Sequence, residues 1–319
     1  MPVDSRATTD GRVQVPIGDG ATKGGGLLVI GDVVTDVVAR HATALVRGTD
    51  TSARIRTLPG GAGANVACWA ARSGCADVRL LARVGADSAD WHRDALRRAG
   101  VRALLAVDEE APTATVVALV DSTAERTFLT DSGAVLRLSP DDWSPAMLDG
   151  VAHLHLSGYL LFAATSRATA LLALREARSR RIPVSVDPAS AGFLAELGAD
   201  RFLSAVEGVD LLLPNADEAR LLTGLPEPAD AAAKLSLQVG RVVVTLGERG
   251  ALLAAAGTVT GRVPAVQVRG AVDSTGAGDA FTGGLLAARL AGADAASAAA
   301  AGCRAGAEAV TTVGGRPGP

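Results

Sequence analysis

The second half of the chain alternates short apolar runs with longer amphipathic segments, and this alternation limits the possible folds more than any other feature. The short runs predict buried strands and the longer segments predict helices. Strands are predicted at Val151–Leu156, Pro183–Asp187, Val209–Leu213 and Arg241–Leu246, and helices at Ser166–Arg180 and Ala216–Thr223. Such alternation is typical of a mostly parallel sheet with helices on both faces, an α/β fold in three layers.

The first half begins with another apolar run, Leu27–Ile30, which predicts a first buried strand. After a glycine-rich stretch and a short helix, Val78–Ala82 predicts the next strand, and Asp87 is the predicted N-cap of the helix that follows. At the other end of the chain, Gly278–Ala291 and Ala295–Val310 predict two closing helices.

Two further segments, near 41–58 and 113–131, alternate polar with apolar residues, as a sheet with one solvent-exposed face does. They predict a small β-sheet that covers one edge of the main domain as a lid.

No linker separates two independent domains, so residues 27–315 are expected to form one domain. Residues 1–26 are rich in Gly, Asp, Thr and Ser and have no apolar signal-peptide core, which predicts a disordered leader.

The composition excludes several functional classes. Hydrophobic residues make up 48% of the 319 residues but aromatic residues only 3%, so alanine, valine, leucine and glycine must fill the core. A net charge of −3 gives no electrostatic reason to expect binding to nucleic acid or to an anionic membrane. No run of about 18 apolar residues is present, so no transmembrane helix is expected.

The cysteines and histidines do not suggest a metal site. Cys68, Cys75 and Cys303 are odd in number and lack metal-ligand spacing, which favours reduced thiols and predicts a cytoplasmic protein. His153 and His155 share one face of a predicted strand, where packing or hydrogen bonding is a more common role than metal binding.

Residues 276–279 read Gly-Ala-Gly-Asp and open a predicted helix. Glycines allow close backbone approach to a ligand, and the first N–H groups of a helix attract an anion. The backbone of Gly276, Ala277 and Gly278 therefore predicts an anion hole suited to a phosphate. Asp279 is expected to stay ionised at neutral pH and to accept a proton from a substrate hydroxyl during phosphoryl transfer. A plain turn with a helix-capping aspartate is the alternative interpretation.

Two further stretches follow buried strands. Asn215 and Glu218 stand three residues apart, as in a helix-capping box, but they could also organise magnesium through its waters. Thr245 and Gly247 end another strand, where ligands gather in open parallel sheets, and are candidates for nucleotide binding.

The stretch Gly60–Asn65 is rich in glycine and precedes a helix. Its spacing fails the dinucleotide fingerprint, so a NAD site is disfavoured. Close approach of Gly60 and Gly61 to a polyhydroxy substrate is the preferred interpretation, with Asn65 and Asp36 as hydrogen-bonding side chains. Asp36 could also be an ordinary solvated loop carboxylate.

Together these motifs resemble the ribokinase-like (PfkB) carbohydrate kinase family. The resemblance runs from about Leu27 to about Gly315. Asp273–Gly284 resembles the family's C-terminal signature, Gly60–Gly74 its N-terminal signature, and Pro214–Glu218 its Asn-x-x-Glu motif.

The resemblance implies a three-layer α/β/α ribokinase-like fold with a small β lid over the substrate. It implies that Asp279 is the catalytic base and that residues 276–278 form the anion hole. The other implied roles are magnesium and phosphate for Asn215 and Glu218, nucleotide binding for Asn215, Thr245, Gly247 and Gly278, and substrate hydroxyls for Asp36, Gly60, Gly61 and Asn65. ATP and Mg²⁺ are the implied cofactors, with K⁺ possible near Asp273, and pairing of exposed lid strands could form a homodimer.

The chain departs from ribokinases on the substrate side. Val34 and Ala62 replace an asparagine and a lysine, and residues 155–159 read His-Leu-Ser-Gly-Tyr where ribokinases have a glutamate. A pocket without these polar groups discriminates poorly for ribose hydroxyls. A nucleoside or a different sugar or sugar acid then becomes plausible, and Arg126 on a predicted lid strand could meet an acidic substrate.

The sequence therefore predicts ATP-dependent phosphorylation of a hydroxymethyl group on a sugar, as in ribokinases and fructokinases. The alternatives are a nucleoside kinase of the adenosine or pseudouridine type, and a non-catalytic protein that senses sugars or nucleotides.

Overall fold

A computed structural model describes residues 25–123 and 125–318 of the chain. The predicted leader therefore lies almost wholly outside the described residues. In chain order, the strands are β1 (Gly26–Ile30), β2 (Val34–His41), β3 (Ala53–Gly60), β4 (Val78–Gly85), β5 (Val101–Asp108), β6 (Ala114–Val120), β7 (Arg126–Asp131), β8 (Val151–Ser157), β9 (Val184–Asp187), β10 (Leu211–Leu212), β11 (Val242–Thr245), β12 (Ala251–Ala255) and β13 (Thr258–Val263).

The helices alternate with these strands through most of the chain. In chain order they are α1 (Ala62–Arg72), α2 (Ala89–Arg98), α3 (Ala164–Ser179), α4 (Ala191–Leu197), α5 (Ala199–Ala205), α6 (Ala216–Thr223), α7 (Pro228–Leu235), α8 (Ala277–Leu290) and α9 (Ala295–Ala309). In the part of the chain that the structure describes, no helix is long and apolar enough to cross a membrane.

Nine strands form one large sheet in the order β13-β12-β11-β10-β9-β8-β1-β4-β5. Its pairs are parallel from β11 through to β5, and β12 runs against its two neighbours. Side chains of β1 alternate between two apolar cores, with Leu28 and Ile30 facing one and Leu27 and Val29 the other. Helices α3 to α7 contribute to the first core, and α1, α2, α8 and α9 to the second. The predicted three-layer α/β/α architecture is confirmed.

The other four strands form a small mixed sheet in the order β3-β2-β6-β7. Pairs β2–β3 and β6–β7 are antiparallel, whereas β2 and β6 are parallel. The sequence-based segment 41–58 misplaced its first strand, because β2 begins at Val34 and residues 42–52 have no strand structure. Only three residues separate β2 from the buried strand β1, so its polar–apolar alternation was not recognised as a separate strand.

Some local predictions were wrong or missed an element. Asp87 does not cap α2. Its carboxylate accepts hydrogen bonds from the N–H (2.8 Å) and the hydroxyl (3.1 Å) of Thr113, and Ser88 occupies the N-cap position. Strand β5 and helices α4, α5 and α7 were not predicted. His153 and His155 both hydrogen-bond to the hydroxyl of the buried Ser185, at 2.8 and 2.9 Å.

Candidate active site

The carboxyl ends of β1, β8 and β9 lie side by side and each contributes a polar side chain. Asp32 is the second residue after β1, Ser157 is the last residue of β8, and Asp187 is the last residue of β9. Asp32 accepts hydrogen bonds from the Ser157 hydroxyl (2.9 Å) and from the N–H groups of Ala62 (2.6 Å) and Gly63 (3.1 Å). The start of α1 is therefore fixed to the end of β1.

A direct backbone contact supports this junction between β1 and α1. A Cβ atom at Gly31 would lie 2.7 Å from the Cα of Gly63, and one at Gly63 would lie 2.7 Å from the Cα of Gly31. No side chain fits between the two segments. Part of the glycine-rich stretch therefore lets the start of α1 pack closely on the end of β1. The predicted close approach of its backbone is thus, in part, an approach to another segment of the protein.

The Gly-Ala-Gly-Asp stretch opens α8, as predicted. Gly276 occupies the N-cap position with φ of 72°, in the left-handed region that favours glycine. The preceding loop is held by Asp273, whose carboxylate accepts hydrogen bonds from the N–H groups of Thr275 (2.9 Å) and Gly314 (3.1 Å). The Ala277 N–H donates to the Ser274 carbonyl at 3.3 Å. The N–H groups of the next two residues lie at the start of the helix, an arrangement that suits an anion.

Asp279 lies in the first turn of α8 and meets the start of α1. The Asn65 amide donates a hydrogen bond of 2.8 Å to its carboxylate, which joins two of the predicted site motifs in space. Burial raises the pKa of Asp279 to about 8, and the charges of Asp187, Asp32 and Asp36 also raise it, while the Asn65 hydrogen bond lowers it. The expectation that this carboxylate stays ionised at neutral pH was wrong, because the helix dipole does not offset burial among other carboxylates.

Asn215 and Glu218 form a complete capping box at the start of α6. The Asn215 side-chain oxygen accepts from the Glu218 N–H (2.9 Å), and the Glu218 carboxylate accepts from the Asn215 N–H (2.8 Å) and amide (2.7 Å). Glu218 is buried, and burial followed by the charge of Asp187 raises its pKa to about 8. Glu218 therefore has a structural role as a helix cap. The same hydrogen bonds hold its carboxylate near Asp187 and Asp279, whose charges act on it.

Thr245 lies next to Asn215 across the sheet. The two form a parallel bridge, and the Thr245 N–H donates to the carbonyl of Pro214 at 3.0 Å. Gly247 starts a short 3₁₀ turn two residues further on. The three residues predicted for nucleotide binding on the strand ends are thus neighbours.

Three carboxylates, Asp187, Glu218 and Asp279, are the candidate groups for a divalent cation. Burial raises the pKa of Asp187 to about 6 and the pKa values of Glu218 and Asp279 to about 8. The negative charge of a neighbouring carboxylate raises each of the three pKa values further. A cation would relieve this repulsion. In residues 25–123 and 125–318, however, no group of three or more acidic, histidine or cysteine side chains is close enough to hold a metal directly. The arrangement therefore fits Mg²⁺ that keeps several of its waters.

Asp36 lies in β2 of the small sheet and not in a loop, so the interpretation as a solvated loop carboxylate was wrong. Its carboxylate lies directly against Gly60, where a Cβ atom would overlap it. Burial raises the pKa of Asp36 to about 6; Asp32 and Asp273 raise it further, while Arg316 lowers it. The small sheet thus brings Asp36 and Gly60 together at its junction with the main domain.

Sequence reasoning missed three charged residues of this region, Asp32, Asp187 and Arg316. Asp32 and Asp187 stand where buried apolar runs end, a signal that could have identified both. Arg316 carries no comparable signal, because it follows the last helix in a Gly- and Pro-rich segment. The stretch Gly60–Asn65 follows a strand of the small sheet, which also differs from the strand–turn–helix unit of a dinucleotide site.

Comparison with known proteins identifies the family to which this chain is similar. Residues 26–319 match the family described as pfkB family carbohydrate kinase. A fructokinase from Klebsiella pneumoniae is 33% identical over 275 residues, covering 82% of this chain and 84% of that protein. The ribokinase of Thermotoga maritima superposes with a TM-score of 0.77 at 26% identity, covering 91% of this chain and 94% of that one. An Escherichia coli protein described as a ribokinase II, solved with ATP and Mg²⁺, gives a TM-score of 0.79 at 26% identity over 91% and 94% of the two chains.

Proposed function

Since the chain belongs to the pfkB family of carbohydrate kinases, which are phosphotransferases with an alcohol group as acceptor, we propose that it transfers the γ-phosphate of ATP to a hydroxymethyl group of a sugar. The hydrogen bond between Asn65 and Asp279 carries this proposal, because it joins the glycine-rich stretch on the substrate side to the anion loop on the phosphate side.

In the proposed reaction, Asp279 accepts the proton of the substrate hydroxyl as its oxygen attacks the γ-phosphorus. The bond from that phosphorus to the bridging oxygen breaks at the same time, and ADP carries away the electron pair. A pKa of about 8 suits a base that works near neutral pH, because it binds the proton more strongly than an ordinary carboxylate does. Asn65 orients the carboxylate through its amide.

The backbone of Gly276, Ala277 and Gly278 is proposed to hold the negative charge of the transferred phosphoryl group. Its N–H groups at the start of α8 lie beside Asp279, so the base and the anion hole share one helical turn.

Asn215, Thr245, Gly247 and Gly278 are proposed to bind the nucleotide, and Asn215 and Glu218 to reach Mg²⁺ through its waters. When bound, Mg²⁺ supplies positive charge that offsets the phosphate oxygens. The E. coli ribokinase II solved with ATP and Mg²⁺ supports this cofactor pair. A K⁺ ion is also proposed to bind near Asp273.

On the substrate side, Asp36, Gly60, Gly61 and Asn65 are proposed to bind the sugar hydroxyls. Val34 is buried in an apolar cluster with Ala114 and Val135, so it offers no polar contact. With the fructokinase relative, this absence favours a hexose over ribose.

A nucleoside is the second candidate substrate, and an aromatic cluster favours it. Tyr159, Phe162 and Phe193 pack with ring centroids 5.0 to 6.3 Å apart. The charges of Asp32 and Asp279 act on the Tyr159 hydroxyl, so the cluster lies beside the acidic site. Aromatic faces of this kind can stack on a base.

The experiment is a panel of sugars, sugar acids and nucleosides, assayed with ATP and Mg²⁺ for formation of ADP. Asp279→Asn is expected to lower kcat about 10²- to 10⁴-fold, while ATP with Mg²⁺ still raises the melting temperature. Asp230→Asn, the same change at an exposed carboxylate in the first turn of α7, is the matched control. Full activity of Asp279→Asn would show that another group is the base. Binding of sugars without turnover across the panel would favour the sensing alternative.

The small sheet is proposed to act as a lid and to pair two copies of the chain. Ile55 on edge strand β3 and Leu129 on edge strand β7 share one face and are 63% and 58% exposed. Burying this face against a second copy would remove apolar surface from water. Ile55→Asp with Leu129→Asp should therefore halve the mass measured by light scattering, whereas Leu237→Asp, at an exposed leucine outside the lid, should not. A wild-type monomer would contradict the pairing.

A further inference from the structure

The segment after α9 crosses the candidate active site and contacts three of its parts. The Gly314 N–H donates to Asp273 of the anion loop (3.1 Å), and the Trp69 indole of α1 donates to the Gly315 carbonyl (2.9 Å). Arg316 donates from Nη2 to the carbonyl of Gly60, the last residue of β3, at 3.0 Å. Arg316 thus lies where the small sheet joins the main domain.

The Arg316 guanidinium is shielded from solvent, although other parts of the residue are partly exposed. Its Nε and Nη1 atoms have no hydrogen-bond partner in the described part of the chain. A buried cation is costly unless an opposite charge lies nearby. His92 and Cys68, its titratable neighbours, are uncharged at neutral pH, because burial lowers the pKa of His92 to about 4 and raises that of Cys68.

Asp36 is the carboxylate that can balance this charge. It lies against Gly60, whose carbonyl accepts the Arg316 hydrogen bond, so the two charged groups flank one residue. The other charged groups that act on Asp36 are Asp32 and Asp273 from the main domain, and it interacts with Asp279 as well. All three are acidic, so Arg316 opposes their combined effect.

We propose that Arg316 is a positioning residue that keeps Asp36 ionised and fixes it at the junction of β3 with the main domain, ready to accept hydrogen bonds from two substrate hydroxyls. The substrate-binding part of this inference rests on the proposed function. The ionic part does not.

The ionised form matters because of what a diol requires. A carboxylate offers acceptor sites on both oxygens, whereas a protonated carboxyl group turns one of them into a donor. With its pKa raised to about 6 even in the presence of Arg316, Asp36 has little margin at neutral pH. Loss of the guanidinium charge would therefore leave a large share of Asp36 protonated.

The first test measures Asp36 itself, by ¹³C NMR titration of labelled aspartate carboxyl groups, with the resonance assigned by its loss in Asp36→Asn. In Arg316→Met the pKa of Asp36 should rise by about one unit or more. Arg316→Lys, which keeps the charge, should shift it less, and Arg304→Met, the same change at an exposed arginine, should not shift it. An unchanged Asp36 titration in Arg316→Met would overturn the proposal.

The second test is kinetic and uses the best substrate of the panel. A one-unit rise in the pKa of Asp36 should raise KM about threefold at pH 6.5 and leave it near the wild-type value at pH 8.5. An equal KM increase at both pH values would indicate a merely structural role and overturn the inference. If the wild-type protein phosphorylates nothing while the NMR shift is observed, the proposed function fails and the Arg316–Asp36 interaction stands.

Discussion

The raised pKa of Asp279 predicts how the reaction rate depends on pH. A general base must be ionised in the free enzyme, so kcat/KM should rise with pH and level off above the pKa of about 8. An ordinary aspartate, with a pKa near 4, would give a flat profile over the same range.

The expected size follows from that pKa. A group with a pKa of about 8 is about 10% ionised at pH 7 and about 90% ionised at pH 9. We therefore expect kcat/KM to increase at least about tenfold between these two pH values. Asp36 and Asp187, with pKa values of about 6, are largely ionised throughout this range and should contribute little to the slope, whereas ionisation of Glu218, with a pKa of about 8, would steepen it.

Two variants should move this profile in opposite directions. Asp187→Asn removes a negative charge that raises the pKa of Asp279, so the rise should occur at lower pH. Asn65→Ala removes the hydrogen bond that lowers this pKa, so the rise should occur at higher pH. The assay is initial-rate formation of ADP from pH 6.5 to 9.5, with ATP, Mg²⁺ and acceptor all kept below their KM values, so that the profile reports ionisation in the free enzyme.

A flat wild-type profile between pH 7 and 9 would refute the argument that burial and neighbouring carboxylates control Asp279. A shift of both variants in the same direction would refute the assignment of the individual causes. Asp230→Asn provides the control, because Asp230 is exposed in the first turn of α7.

Three further predictions concern stability. Because burial raises the folded-state pKa of Asp279 to about 8, the stability contributed by its protonated form is fully present below about pH 4 and is lost as the pH rises to about 8. Asp279→Asn should therefore melt above the wild type at pH 9 and close to it at pH 4. Gly63→Ala should cost about 1–3 kcal/mol in denaturant unfolding, since its Cβ would lie 2.7 Å from the Cα of Gly31, whereas Gly192→Ala has open space and should cost nothing. Trp69→Phe removes the hydrogen bond to Gly315 and should lower the free energy of unfolding by about 1 kcal/mol. A neutral Gly63→Ala or Trp69→Phe would contradict the packing described.

The sequence predicted those parts of the fold that local patterns encode. Buried parallel strands such as β8 form continuous apolar runs, and the start of α8 is marked by its own glycines. Strand β5 was missed although it has the residues of a strand. Its six inner residues are all partly or fully exposed, without the alternation of buried and exposed positions that marks a strand, and only its two end residues are buried. Helices α4 and α5 meet at Gly198, and such short helices depend on tertiary packing more than on their own propensity.

The candidate site was predictable to the extent that its chemistry resides in contiguous motifs. The glycine turn that opens α8 and the capping box of α6 were both located correctly in the chain, because neighbouring residues determine their geometry. The raised pKa of Asp279 was not predictable, because it depends first on burial and then on the charges of Asp187, Asp32 and Asp36, which lie far from it in the chain. Arg316 was missed for the same reason, since its partners Gly60 and Asp36 lie about 250 residues away in the chain.

The contact between Gly31 and Gly63 has a consequence for how this sequence can change. A side chain at either position would meet the backbone of the other segment, so replacing one glycine does not make room for replacing its partner. Neither glycine can therefore be replaced first to accommodate a change at the other. Substitution libraries that vary the substrate side should keep both glycines. Diversity can instead enter at Ala62, which follows the glycine pair Gly60–Gly61 and is only half-buried.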